Sequence, residues 1–595
     1  KIMKIKHLFG LAVIAAMTAS CSSNEDLGTA GPGTGTNEAG VGYATFTINL
    51  PSVSGSTTSG ARGTRAADTG GAEMDKGTED EYKVANATAL IFQKYGSDEG
   101  SYKFVESVDL PDANVAWNND TEDGVTKSKK LVAKLTNVDT KNTYGVLILL
   151  NNKTASGDVK IKLPTAGQSY NDWNNTAQTP NVTDLAATDN FYMANAPLNE
   201  SGSVTTLVTI DKNNIYATQT EAESGTKAAN VYVERGVAKM TVATPGTTGT
   251  IIVKDKANPT ATTKKSEVKF SNWALDITNK KTYAVHNIDG LSKDFPDIWT
   301  TARFTGTNKR VYWGTDPNYN LAGLNTADDV NDAKRKEEFN FITATSDINK
   351  AFDKPVYCLE NTFNLANMYQ GQTTRVIFKA TYTPKDDAGN PLAGEHGTFY
   401  TIGNMTTILK EADLKTAVDA AAHAVLPGCF VDYKNLEKEG SHVITLEDIK
   451  ENASSTTHLD KDATYGTSSK TGAQIVKDIN DKLGLTDGGG RDEAKVGINT
   501  YLNGVTYYIA RVKHFGSLTD WHSGESYSNN NAQYLGRYGM LRNNWYELQV
   551  GNVYGPGYPG VPPVDPTLPD DENEKYLSVS VKILSWAKRS DTVDL

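Results

Sequence analysis

Two segments, one near each end of the chain, alternate polar and apolar residues with period two. Tyr43 to Leu50 sets Ala44, Phe46, Ile48 and Leu50 on one face, and Leu577 to Ile583 sets Leu577, Val579, Val581 and Ile583 on one face. Successive side chains of a strand point to opposite faces, so this pattern predicts half-buried β-strands. The first segment precedes a stretch poor in apolar residues that holds Arg62 and Arg65. The second follows a spacer with six prolines, Pro556, Pro559, Pro562, Pro563, Pro566 and Pro569. A chain that can lose its own strand and lend one to a neighbour can polymerise by strand addition.

The bulk of the chain agrees with a β protein. With 595 residues it is too long for one core, since single cores seldom grow past about 250–300 residues. Gly, Asn, Asp, Thr and Ser interrupt nearly every apolar run, which predicts strands joined by long loops. Strands are expected at 84–93, 102–110, 144–150, 231–242, 268–276, 282–286, 309–313, 355–359, 374–382, 397–402, 505–515 and 544–551. Leu414 to Leu426 and Ala473 to Leu483 carry apolar residues at helical spacing and predict two helices. The spacer favours extended polyproline geometry, about 3.1 Å per residue, and is expected to hold the last strand well away from its own domain.

Lys1, Lys4 and Lys6 precede a short apolar run, Leu8 to Met17, and then Thr18-Ala19-Ser20-Cys21. The run is too short to cross a bilayer and reads as a secretory signal. Small residues before Cys21 resemble a bacterial lipobox, in which that thiol is lipidated; an ordinary signal with an incidental cysteine is the alternative. Residues 22–42 read as a flexible tether. Residues 52–80 are too poor in apolar side chains to order themselves, so a trypsin-like protease would cut at Arg65 or Arg62.

Chemistry-bearing patterns are few. The net charge of −12, from 71 acidic and 59 basic residues, attracts neither nucleic acid nor an anionic membrane surface. Of three cysteines, Cys358 and Cys429 lie in the body of the chain and are either bridged or two buried thiols. The eight histidines form no zinc-protease pair. His514 and His522, with Asp520 and Glu525, read as solvated loop residues. Gly555 to Gly560 matches G-x-G-x-x-G but opens no helix, so no helix dipole faces a phosphate. Asp460 and Asp462, and the loop from Asp487 to Glu493, read as solvated turns rather than calcium loops. No catalytic residue, metal site or cofactor is expected, and the chain is not read as an enzyme.

At the C-terminal motifs the chain resembles the fimbrillins, the type V pilins of Bacteroidales, of the kind that form the stalk of minor (Mfa-type) fimbriae. Tyr538 to Val550 resembles their R-N-N-x-Y strand, with Arg542-Asn543-Asn544 followed by Tyr546. Val233-Glu234-Arg235-Gly236-Val237-Ala238-Lys239 resembles their V-E-R-x-V-A-K/R strand, and Glu360-Asn361-Thr362 their E/P-N-T strand end. Val579 to Trp586, with the closing Val593-Asp594-Leu595, resembles the tail of stalk subunits.

The resemblance implies two transthyretin-like β-sandwich domains, a few short helices and an extended C-terminal donor strand. By position, 1–21 is a lipoprotein signal ending at Cys21. Residues 22–65 hold the tether, the removable strand (Ala44, Phe46, Ile48, Leu50) and the cut site. Residues 66–240 and 241–554 are the two sandwiches, and 555–595 holds spacer and donor strand (Leu577, Val579, Val581, Ile583, Trp586). The implied partners are further copies of the chain, accessory tip and anchor pilins, an arginine-specific surface protease and, through a transient lipid, the outer membrane. The implied place is a cell-surface fimbrium. A surface glycan-binding lipoprotein of a polysaccharide-uptake system, or a pilus tip adhesin, is the alternative; neither needs both a cleavable first strand and a donor-like tail.

Overall fold

The computed structural model describes residues 35–51, 77–119, 125–200, 203–246, 248–261, 265–296, 311–467, 469–514, 534–570 and 577–585. Strand outweighs helix, 34% to 19%, so the chain is mostly β. It divides into two compact units. The described part of the first comprises residues 35–51, 78–176 and 188–234, and the second holds 177–187 and everything from 235.

In the first unit, seven strands follow one another in the hydrogen-bonding order β3-β2-β5-β6-β7-β1-β4. They are β1 (Gly42–Pro51), β2 (Ala87–Gln93), β3 (Lys103–Asp109), β4 (Val125–Leu135), β5 (Tyr144–Leu150), β6 (Met193–Asn195) and β7 (Ala229–Arg235). The β5 sequence, Tyr-Gly-Val-Leu-Ile-Leu-Leu, is apolar without alternation, and every residue is buried. A strand covered on both faces has no need of a polar side. β2 runs antiparallel beside it, from Ala87 opposite Leu150 to Gln93 opposite Tyr144.

The second unit stacks two sheets. One has the order β11-β8-β17-β18, formed by β8 (Ala238–Val242), β11 (Val356–Cys358), β17 (Asn544–Val553) and β18 (Leu577–Ser585). The other has the order β9-β10-β12-β16, formed by β9 (Thr250–Ile252), β10 (Glu267–Asp276), β12 (Arg375–Thr383) and β16 (Val505–Arg511). Met240, Tyr546 and Leu548 of the first sheet join Phe270, Trp273, Phe378 and Tyr508 of the second in one core, the arrangement of a sandwich.

A lobe is inserted between β12 and β16. These strands are antiparallel neighbours, Thr381 opposite Val505, so the lobe stands where a short hairpin turn would do. It contains a sheet of β13 (Phe399–Ile402), β15 (Ile498–Tyr501) and β14 (Gly440–His442), with α1 (Glu411–Val425) and α2 (Gly472–Leu483). Its core is its own: Leu414, Val418 and Ala422 of α1 meet Ile475 and Ile479 of α2. Thr471 caps α2 by accepting from the Gln474 amide while the Gln474 side chain accepts from the Thr471 amide. Gly484, at φ 68°, ends the helix in the left-handed conformation that glycine adopts without strain.

Both expected helices form, α1 one turn earlier than its apolar spacing suggested. Glu411 and Asp413 in that first turn favour the positive end of the helix dipole. The expected strand 231–242 is two strands, broken at Gly236 and Val237. There the Asn543 side-chain oxygen accepts from the Arg235 amide, and the Asn543 amide donates to the Val237 carbonyl, pulling the chain out of the ladder. Residues 282–286 form no strand; Thr282 makes one isolated bridge with Gln178.

Candidate functional site

β1 lies inside its sheet. On one side it runs antiparallel to β4, Ala44 opposite Ala133 and Ile48 opposite Lys129. On the other it runs parallel to β7, Phe46 opposite Ala229 and Asn49 opposite Tyr232. The alternation read from the sequence is the alternation of burial: Ala44, Phe46 and Ile48 are fully buried and Leu50 is 1% exposed. The opposite face is also tied down. The Thr45 hydroxyl donates to the Ala222 carbonyl at 2.5 Å, and the Asn49 amide group donates to the Asn230 side chain and the Val231 carbonyl. At the strand's start, a Cβ on Gly42 would stand 2.7 Å from Ile215 Cγ2, so the chain enters where only glycine fits. Taken out, β1 would leave a slot one strand wide between β4 and β7.

β18 lies at the edge of its sheet, antiparallel to β17, with Ile583 opposite Tyr546 and Val579 opposite Val550. This corrects the expectation that the proline spacer keeps the last strand away from its own domain. The spacer is seated along the second unit. Tyr558 and Tyr507 exchange backbone hydrogen bonds of 2.7 and 2.9 Å, and the Tyr501 and Tyr508 hydroxyls donate to the Gly557 and Gly555 carbonyls. Of the glycines at 555–560, Gly557 has a packing reason: a Cβ there would meet the Tyr507 carbonyl oxygen at 2.0 Å. Six prolines fix local backbone geometry without preventing that backbone from docking.

The other expected site residues divide sharply. Cys21, Arg62, Arg65 and Trp586 lie outside the described residues, as do His522, Asp520 and Glu525. Cys358 and Cys429 are free and buried, and burial pushes their thiols up to about 12 and about 11. His514 departs from its reading as a solvated residue: it is 2% exposed and its Nδ1 lies 2.7 Å from the Tyr546 hydroxyl. Among the described residues no three His, Cys, Asp or Glu side chains gather as metal ligands. Among them, too, no helix is long and apolar enough to cross a membrane.

The three motifs that resemble fimbrillin strands converge at the start of β17. The Arg542 guanidinium bonds Glu360 at 3.1 Å, with side chains 2% and 0% exposed, and donates further to Thr282 and the Tyr283 carbonyl. Asn361 and Met540 exchange backbone hydrogen bonds. β8 runs parallel to β17 with Lys239 opposite Trp545, and the Lys239 ammonium sits 3.7 Å from the centre of the Trp545 ring.

Behind this junction is a residue that sequence reasoning missed. Asp316 is fully buried and accepts from the Thr362 amide, the Asn318 amide and the Asn279 side chain. Burial, with the Glu360 carboxylate nearby, outweighs these donors and lifts its carboxyl to about 8. No pattern around Asp316 announces this; it follows from a fold that brings residues 279, 316, 360 and 542 together.

Residues 499–592, the stretch that holds β16, β17 and β18, match the family described as "Major fimbrial subunit protein type IV, Fimbrillin, C-terminal". This end of the chain is similar to the C-terminal part of fimbrillins. No curated protein sequence matches the chain. Among solved structures it is similar to a candidate cell adhesion protein from Parabacteroides distasonis, at 10% identity and TM-score 0.34, covering 92% of this chain and 98% of that one. It is also similar to a fimbrial assembly protein from the same species, at 12% identity and TM-score 0.27, covering 62% and 93%. A third is the C-terminally truncated tip fimbrial protein Mfa3 of Porphyromonas gingivalis, at 10% identity and TM-score 0.29, covering 91% and 100%.

Proposed function

We propose that this chain is a structural shaft subunit of a cell-surface pilus, exported as a lipoprotein on Cys21 and assembled by donor-strand exchange. An arginine-specific protease at the surface cuts after Arg65, or Arg62, and β1 leaves with the N-terminal piece. The last strand of a second copy then enters the slot between β4 and β7. Tip and anchor pilins cap the polymer. The observation that supports the class is the fimbrillin match across β16, β17 and β18. The seat of β1 supports the mechanism: a ten-residue strand with a fully apolar inner face fills a complete position in a sheet.

Before the cut, β1 keeps the slot occupied. After it, the four apolar side chains of an incoming strand, Leu577, Val579, Val581 and Ile583, contribute roughly 1.5–3 kcal/mol each, with ladder hydrogen bonds besides. Filling the slot also pairs two sheet edges that would otherwise aggregate.

Trypsin treatment of the purified precursor, followed by N-terminal sequencing and gels run under mild denaturation, tests this. The mature chain is expected to begin at Ala66 and to form ladders. Arg62→Ala combined with Arg65→Ala should leave full-length monomers, and Cys21→Ala should abolish palmitate labelling. Val581→Asp should abolish ladders with an unchanged circular dichroism spectrum, because it carries an unpaired carboxylate into the slot. Fibres from the double arginine variant would rule out maturation through this loop.

A further inference from the structure

The spacer before β18 passes a buried ion pair whose purpose the sandwich does not explain. Arg375, at the start of β12, is 3% exposed and bonds Asp276, at the end of β10, at 2.8 Å. The other oxygen of Asp276 accepts from the Ile342 amide at 2.7 Å, so the carboxylate is fixed from both sides. The two remaining nitrogens of the guanidinium reach out of the sheet: Nη2 donates to the Pro562 carbonyl at 2.6 Å and Nη1 to the Pro563 carbonyl at 3.1 Å. Successive prolines offer no N–H, so the carbonyls are the only backbone groups by which this stretch can be held. The planar fork of arginine meets an acid and two adjacent acceptors through three separate nitrogens fixed in one plane, a geometry that the single nitrogen of an ammonium does not offer.

A second set of contacts follows. Pro566 packs on Gly371, where a Cβ would meet the ring at 2.9 Å. The Gln370 amide donates to the Leu568 carbonyl and the Gln370 side chain to the Pro569 carbonyl. Asp570 is fully buried; its amide donates to the Met368 carbonyl and its carboxylate accepts from Thr373 at 3.3 Å.

We infer that the Asp276–Arg375 pair is a clamp that keeps residues 555–570 on their own subunit when β18 leaves, so that the donor arm is rooted at Asp570. Arg375 and Asp276 are then positioning residues for strand exchange, and this inference rests on the reading of β18 as the exchanged strand. The arm between its root and the strand is the seven-residue step from Asp570 to Leu577, which spans at most about 25 Å. A root at the first proline would more than double that reach.

Hydrogen exchange on the full chain and on three variants tests the clamp. Deleting 576–595 removes β18 whatever its destination. The amides of Gln370 and Asp570 should then exchange within about twofold of their rate in the full chain, whereas Arg375→Gln should accelerate both by about tenfold or more. Arg375→Lys keeps a charge beside Asp276 and guards against misfolding; it should accelerate the same two amides while those of β10 and β12 stay protected. Loss of protection at Gln370 and Asp570 on deleting the tail would show that β18 holds the spacer, and unchanged protection in both Arg375 variants would show that the ion pair does not; either result overturns the clamp. Ladder gels on the same proteins report separately on strand exchange. Normal ladders after tail deletion would sink that reading, and the exchange rates would still decide what holds the spacer.

Discussion

β1 and β18 carry the same alternating code, and the fold holds them differently. β1 has a neighbour on each side and an apolar face with at most 1% exposure. β18 has one neighbour, β17, and lies at the edge of its sheet. A strand with two partners is part of the core it completes; a strand with one is an addition to a sheet that already has its layers. The contrast teaches that a period-two pattern specifies a face, not a number of neighbours, and that the strand suited to leave is the one held on one side. On the proposed reading β1 would leave only after a cut, while β18 would leave one partner for two.

The comparison breaks most visibly by removing β1 without a substitute. Burying Phe46, Ile48 and Leu50 is worth about 5–9 kcal/mol in sum, against a whole-domain stability of about 5–15 kcal/mol. A chain lacking residues 35–51 should therefore lose exchange protection throughout β4 and β7 while the second unit stays protected. Within the intact strand, Phe46→Ala should cost about 3–5 kcal/mol, read as a lower midpoint for the first unit in denaturant titration.

The two units should also differ in their response to pH. The fastening of β1 is apolar, whereas the junction at β17 holds Asp316 beside Glu360 and Arg542. With its carboxyl at about 8 in the folded chain and at its ordinary 3.8 unfolded, Asp316 holds a proton in the folded state that the unfolded chain gives up. Its contribution to stability is therefore fully present below about pH 4 and declines as pH rises towards 8. Melting of the second unit followed from pH 4 to 8 should show this decline, and Asp316→Asn should flatten it. An equal slope in both units would remove the distinction.

Smaller effects sharpen the contrast. Deleting 576–595 should move the second unit's melting temperature by no more than about 4 °C, because an edge strand is lost and its sandwich keeps both sheets. Asn49→Ala, which removes two hydrogen bonds from the outer face of β1, should cost about 1 kcal/mol; a loss as large as that of Phe46→Ala would mean that polar contacts, not apolar burial, hold the strand.

What could be read from sequence follows the range of the interactions. The faces of β1, the helix α2 with its Thr471–Gln474 capping box, and the all-apolar β5 are dictated by residues within a few positions of one another. The three fimbrillin-like motifs were visible as strings, but their meeting at Arg542, Glu360 and Asn543 is a long-range event. The break of 231–242 at Gly236 depends on Asn543, some 300 residues on. The seat of the spacer depends on Arg375, whose carbonyl partners lie 187 and 188 residues away. Composition predicted that the prolines would extend the chain and had no bearing on where their carbonyls would be received. His514 was misjudged for the same reason: its partner, the Tyr546 hydroxyl, comes from the neighbouring motif.

The walls of the β1 slot run in opposite directions, β4 antiparallel and β7 parallel to the strand between them. At a spacing of about 4.8 Å per strand they stand roughly 9.6 Å apart. The wall on the β7 side is itself mixed, because Tyr43 and Ala44 pair antiparallel with Tyr216 and Ile215 before Phe46 to Asn49 pair parallel with β7. A strand threaded as β1 is threaded finds antiparallel partners on both sides at that end, and one threaded the other way finds two parallel ones. The backbone of the slot therefore carries a polarity of its own. A fibre built on this joint would have its arrow written there as well as in the residues that fill the holes left by Phe46 and Ala44.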